Sequence, residues 1–251
     1  MDLFVLFLQS NNGSFNGYLT ENPLLKEHHM FRKIWWKILS VVCLLYAFIA
    51  GFLGSVPAKP ILHETIRNLY FHVAMWFCMM IFFFVSVIYS VQYLRNNNRV
   101  NDIYSVEFAK IGILFGVLGL TTGSVWARYT WGSFWSNDPK QLGASIALLI
   151  YFAYLVLRNS ITDIDKQSRI AAVYNIFAFF MLFPTIWIIP RMVESLHPGG
   201  NGGTNTFNHI DSRMRWIFWF GAVPGWALLG TWITTLRIRL KFLQEKKFGN
   251  V

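Results

Sequence analysis

Two histidines set the chemical question. His72 ends the stretch Ile66-Arg-Asn-Leu-Tyr-Phe-His72, and His197 ends Arg191-Met-Val-Glu-Ser-Leu-His197. Between them runs Trp126-Ala-Arg-Tyr-Thr-Trp131-Gly-Ser-Phe-Trp135-Ser-Asn-Asp138-Pro-Lys-Gln141. Neutral imidazole is an axial ligand of haem iron, and indole rings bury a flat macrocycle through area and stacking preference. Two histidines from separate helices, flanking a tryptophan-rich loop, are a pattern for holding one haem edge-on. Each histidine alone reads better as a hydrogen-bonded structural residue than as a ligand, and Trp and Tyr at such places also serve as interface anchors; two on one face, either side of the aromatic loop, tip the reading toward haem. Anchoring accounts less well for the dense Trp-Gly-x-x-Trp run. Gly132 permits close backbone approach there, and Trp131 and Trp135 would stack if helical. The cations Arg67, Arg128, Lys140 and Arg191 lie near the same loops. Guanidinium pairs directionally with carboxylates such as haem propionates, although lipid headgroups explain any single one equally. Asp138 before Pro139 reads as a helix N-cap rather than a catalytic acid. His63 and His209 sit in more polar sequence and read as solvated.

The elements that must position these residues are apolar. The 251 residues are 55% hydrophobic and 14% charged, against roughly 25% charged in soluble chains, and mean hydropathy is +0.41. Apolar runs at Trp35–Val56, Leu69–Leu94, Phe108–Ala127, Leu142–Leu157, Ile170–Pro190 and Trp216–Leu236 predict an all-α bundle of six transmembrane helices, each near the ~20 residues a bilayer core requires. The fourth run is short, and Pro139 is a natural first-turn residue for it. Pro184 and Pro224 could kink the fifth and sixth. Of the 22 Lys and Arg, fifteen fall at the N-terminus, in the second and fourth loops and at the C-terminus. The positive-inside rule then places both termini in the cytoplasm and the histidine loops outside. The net charge of +10 reads as topology and lipid contact, not nucleic-acid binding. Residues 1–29 read as an N-terminal extension of doubtful role, residues 30–240 as the membrane domain with its loop at 126–141, and residues 241–251 as a basic cytoplasmic tail. Gly-rich residues 198–206 read as a mobile turn. Cys43 and Cys78 lie inside apolar runs and no CxxCH occurs, so the chain cannot attach haem covalently to itself.

Trp131-Gly-Ser-Phe-Trp135-Ser-Asn-Asp138-Pro-Lys resembles the WWD motif of the CcmC/CcsA family, haem-handling proteins of cytochrome c biogenesis. Upstream Thr122-Gly-Ser-Val-Trp126-Ala-Arg128, together with Arg67…His72…Trp76 and Leu196-His197-Pro198, extends the match. Size and span number most resemble the C component of the maturation system. Asn137 stands where that motif usually has tryptophan, and the Asp-Pro-Lys ending is closer to system II relatives. The resemblance implies non-covalent, transient binding of haem b at the outer face of the bacterial inner membrane, with His72 and His197 as axial ligands and Trp126, Trp131, Trp135 and Asp138 as the platform. It implies delivery to a periplasmic haem chaperone, beside ABC transporter subunits and a small membrane accessory subunit. No carboxylate pair or Ser/His/Asp set appears among the outward residues, so any covalent step is expected on the partner. A system II-type haem-to-apocytochrome synthetase component is the nearest alternative. An electron-transferring b-type cytochrome would need histidines at mid-span, and a transporter would show internal repeats.

Overall fold

The computed structural model describes residues 33–57, 61–197 and 210–247. His28, His29, Lys59, His209, the N-terminal extension and the Gly-rich turn lie outside them. The chain divides into two units after Ile38. Of the first, only the start of one helix is described; everything below concerns Leu39 onward.

Among the described residues, six helical segments are long and apolar enough to cross a membrane: spans 1 (Trp35–Leu53), 2 (His63–Asn96), 3 (Arg99–Trp131), 4 (Pro139–Ser160), 5 (Ile164–Met192) and 6 (Ser212–Glu245). No strand occurs among the described residues. The all-α, six-span expectation holds, and the helix of span 4 begins at Pro139 with Asp138 as its N-cap. Several spans run longer than the apolar runs. Span 3 starts nine residues before Phe108, and the last helix continues to Lys247. Their extra turns carry charges that find partners inside the bundle. Asp102 accepts two bonds from Arg158 at 2.7 and 2.6 Å, and Arg99 bonds Asp102 and Glu245 at 2.5 and 3.0 Å. Glu107 accepts from Arg237 at 2.6 Å and from Lys110 at 2.7 Å. Charged groups persist at such depth only when paired in this way. One turn deeper, Asn175 of span 5 donates to Ser86 and Ser90 of span 2, and Ser105 of span 3 joins the same cluster. Polar side chains thus tie five spans, 2 to 6, at one end of the bundle.

The opposite end is set by close helix approach. Span 3 presents Gly112, Gly116, Gly119 and Gly123 at spacings of three or four. A Cβ at the first, third and fourth would fall 2.5, 3.0 and 2.4 Å from the rings of Phe83, Trp76 and His72 of span 2. Small residues at this period let membrane helices pack backbone to side chain. Spans 5 and 6 each contain a π-helical turn, at Phe183–Ile188 and Ile217–Ala222. The first contains Pro184 and the second ends just before Pro224, the two prolines expected to kink these spans. Proline lacks the N–H that would continue the α ladder, and π turns recur where helices are interrupted in this way. The Thr185 carbonyl in the first of them faces Gly143, where an added Cβ would lie at 1.9 Å.

Candidate functional site

His72 opens the α-helix of span 2 after a 3-10 segment, His63–Tyr70. Its ring occupies the space left by Gly123, and its Nδ1 lies 2.9 Å from the Gly119 carbonyl. A carbonyl only accepts, so Nδ1 carries the hydrogen and the Nε2 lone pair is left free. Trp76 and Trp126 meet the imidazole edge-on, at centroid distances of 6.1 and 5.8 Å. His197 follows span 5. Its Nδ1 lies 2.7 Å from Oδ1 of Asp138, a carboxylate that also accepts from Lys140 N, Ser195 Oγ and Leu196 N at 2.7–2.9 Å. The tautomer is fixed in the same sense, again leaving Nε2 free. Trp131 stands edge-on to this ring at 4.7 Å.

Burial pushes the Asp138 carboxyl up, but the hydrogen bonds it accepts from His197, Ser195 Oγ and Lys140 N outweigh it. The carboxyl is held well below the usual carboxylate range. Asp138 therefore does two things at once. It caps span 4, and it fixes the second histidine from 59 residues away. The capping role was readable from Asp-Pro; the link to His197 was not.

Both histidines line a cavity of about 400 Å³ with Ile66, Leu69, Trp126 and Trp131, and a smaller one of about 130 Å³ with Trp76 and Ile186. The larger volume lies within the range of ligand sites, and its lining of apolar and aromatic side chains with few polar groups is typical of them. Lys140 lines both cavities. It is the one of the four candidate cations that does. Arg67 instead donates to the Gly51 and Gly54 carbonyls at 2.5 and 2.7 Å, near the end of span 1, and pairs with Glu64. Arg128 bonds the Gly132 carbonyl. Arg191 lies 4.9 Å from the Trp187 ring.

Trp131 and Trp135 do not share a helical face. The helix ends at Trp131, and Gly132 turns the chain with φ +84°. Trp135 is 41% exposed, lies outside both cavities, and donates its Nε1–H to Asn137 Oδ1 at 2.7 Å. Asn137 itself has φ +54°, a conformation that asparagine tolerates and large side chains resist. This gives a backbone reason for asparagine where the motif usually has tryptophan. His63 also has a positive φ and lines neither cavity. Of the residues reasoned from sequence, the cavities thus bring together His72, His197, Trp126, Trp131 and Lys140. They add Gly123, which the sequence reading missed and which the four-glycine spacing in span 3 could have pointed to. Among the described residues no group of three or more His, Cys, Asp or Glu is placed to hold a bare metal ion, and Cys43 and Cys78 are free thiols.

The family model described as "Heme exporter protein C" matches residues 21–249. The chain is 28% identical over 222 residues to the heme exporter protein C of Escherichia coli (strain K12), covering 85% of each chain. It is 23% identical over 224 residues to the protein of the same name from Rhodobacter capsulatus, covering 85% of this chain and 90% of the relative. The cytochrome c biogenesis protein CcsA of Cuscuta reflexa is 28% identical over 175 residues, 66% of this chain and 54% of the relative.

Proposed function

Since the chain belongs to the heme exporter protein C family, we propose that it is a multi-pass membrane protein that holds haem between His72 and His197 and passes it on for cytochrome c maturation. Haem is the cargo here, and the cavity fits it on three counts. Two imidazoles have their Nδ1 atoms tied to acceptors, which leaves two Nε2 ligands. The walls are apolar and aromatic. One ammonium, Lys140, lies among them to meet a propionate. The observation that carries the reading is the shared cavity of two histidines with matching tautomers. A structural histidine needs neither a partner histidine nor a free Nε2 facing open space.

The residues of this chain bind, orient and exclude water. Asp138 and the Gly119 carbonyl aim the rings; Trp126 and Trp131 wall the cavity. Any covalent step occurs on a recipient, a periplasmic haem chaperone. ABC transporter subunits and a small accessory subunit complete the assembly. The histidine end faces the periplasm of a bacterial inner membrane. Supporting this, fifteen of the 22 Lys and Arg fall in the terminal segments and around the second and fourth connections of the sequence, none of which carries His72 or His197. A system II-type role, with haem passed directly to an apocytochrome, differs only in the recipient. The 28% identity to CcsA keeps it as the second reading.

The test is the absorption spectrum of the detergent-purified protein titrated with haem. Wild type is expected to give a six-coordinate Soret band, and His72→Ala and His197→Ala each to shift or lose it. A wild type that develops no such band sinks the reading.

The two motif tryptophans are expected to separate. Trp131→Ala removes a cavity wall and the edge contact to His197, so haem retention through purification should fall several-fold; aromatic contacts are worth about 0.5–1.5 kcal/mol beyond area. Trp135→Ala should retain haem at the wild-type level. Equal losses in the two variants would contradict the placement of Trp135 outside the cavity.

A further inference from the structure

Behind Trp126 lies a second space. A groove of about 470 Å³ is lined by Phe52, Phe71, Val125, Trp126 and Tyr129, with Glu64, Thr65, Arg67, Asn68, Thr121 and Thr122 at its polar parts. Val125 and Tyr129 are exposed, at 48% and 75%. They lie on the apolar third span, so this side of the groove opens toward lipid. Trp126 belongs to both linings, and no other residue does. Its indole and the 3-10 segment His63–Tyr70 form the partition. Ile66 and Leu69 of that segment line the histidine cavity, while Glu64, Thr65, Arg67 and Asn68 line the groove.

Two side-chain hydrogen bonds hold the partition closed. Trp126 Nε1–H donates to Thr65 Oγ1 at 3.0 Å, and Asn68 Nδ2 donates to the Thr122 carbonyl at 3.1 Å. The 3-10 segment hangs from an expensive backbone. Ile61 has φ +71° and His63 has φ +43°, sparsely populated conformations that gather at clamps and switches. Short 3-10 segments are themselves a frequent form of connector and hinge.

We propose that this groove is the access site for haem arriving from the bilayer, and that Trp126, latched to Thr65, is the door between it and the histidines. The proposal rests on the haem reading above and adds the route. The groove suits the same cargo: a flat apolar body fits against Phe52, Phe71 and Val125. Among the described residues, Arg67 and Glu64 are the only charged ones of the lining. They already pair with each other, so the groove offers a carboxylate no unpaired cation. That makes it a place of passage, weaker than the cavity where two imidazoles can ligate iron. Swinging the indole breaks one neutral hydrogen bond, the latch to Thr65, a small cost beside iron ligation.

The experiment uses the full chain in lipid nanodiscs preloaded with haem, following Soret growth in time and then titrating to equilibrium. Val125→Trp fills the groove from a lipid-facing position that lines neither cavity. It is expected to slow loading about tenfold while leaving the final spectrum and affinity at wild-type values. Thr121→Phe, a second groove filling, should do the same. Thr65→Val, which removes the latch acceptor, should speed both loading and release. Wild-type loading rates in both filled variants would overturn the route, as would a changed final spectrum in either, since the groove would then be part of the resting site. A wild type that never develops the Soret band would remove the haem reading itself. Normal wild-type binding with unaffected filled variants removes only the doorway.

Discussion

Asp138→Ala is expected to weaken haem binding by about 10- to 100-fold, the usual effect of removing the group that orients a metal-ligating histidine. The carboxylate accepts from four donors in three places: Lys140 N in span 4, Ser195 Oγ and Leu196 N in the segment after span 5, and the His197 ring. Truncation releases the ring from one tautomer and also removes the N-cap of span 4, a loss of about 0.5–2 kcal/mol. Asp138→Asn separates the two effects. Asparagine is a good N-cap, so the helix start survives. With its carbonyl oxygen in the Oδ1 position it still caps Lys140 N and accepts weakly, without charge, from the His197 ring, but its NH₂ group then meets the Leu196 N–H, donor against donor, and loosens the segment that carries His197. Stability close to wild type with a clear loss of haem affinity is therefore expected for Asn, and loss of both for Ala. Acid gives an independent handle. A carboxyl held low in the folded state contributes stability that is complete above its unfolded value, about 3.9, and that disappears as pH falls through the folded value. Below about pH 4 wild type should thus lose more thermal stability than Asp138→Asn. Parallel Tm-against-pH curves, or haem affinity unchanged in both variants, would remove Asp138 from the role of positioning residue.

How much of this was legible in the chain differs from residue to residue. The six spans were, because long uncharged runs have few other solutions in lipid. The first two turns of span 3 were not. Asp102 and Glu107 lie before the apolar run, and read as outside the span until Arg158, Arg99, Arg237 and Lys110 are seen to neutralise them. Hydropathy counts charges one at a time, and pairing across 56 or 130 residues is invisible to it. The same reasoning divides the site. His72, His197 and the tryptophans stood out by type and by position near span ends. Lys140 could not be told from Arg67, Arg128 and Arg191, because each is a cation a few residues from a helix end. What separates them is the direction of the side chain, set by packing. Trp135 was grouped with Trp131 by a spacing that means proximity only within a helix, and Gly132 ends the helix between them. Asn137 read as a departure from the motif. Its backbone conformation makes it a fitting residue for that turn.

The largest stability effect is expected far from haem. Arg158→Leu should destabilise the protein by about 3–5 kcal/mol, the range for removing one partner of a buried ion pair. Arg158 and Asp102 are 7% and 3% exposed and meet through two parallel bonds. Without the guanidinium, Asp102 keeps only Arg99, which is shared with Glu245 and Ser168, so the loss should fall toward the lower end of that range. Removing both charges, Asp102→Leu with Arg158→Leu, should recover most of the stability, because the penalty comes from the orphaned carboxylate and not from the missing attraction. The effect should also stay local to that end. Asp102 and Trp126 are separated by 24 residues of one helix, about 36 Å at 1.5 Å per residue. Haem affinity per folded molecule should therefore match wild type in the single and the double variant, even where melting in detergent differs by many degrees. A single variant as stable as wild type would mean that water reaches Asp102. A double variant no better than the single would mean that the pair carries net stability of its own, holding spans 3 and 4 together by attraction. Loss of haem affinity in the double variant would join the two ends, and the ion-paired end would then be part of what shapes the cavity.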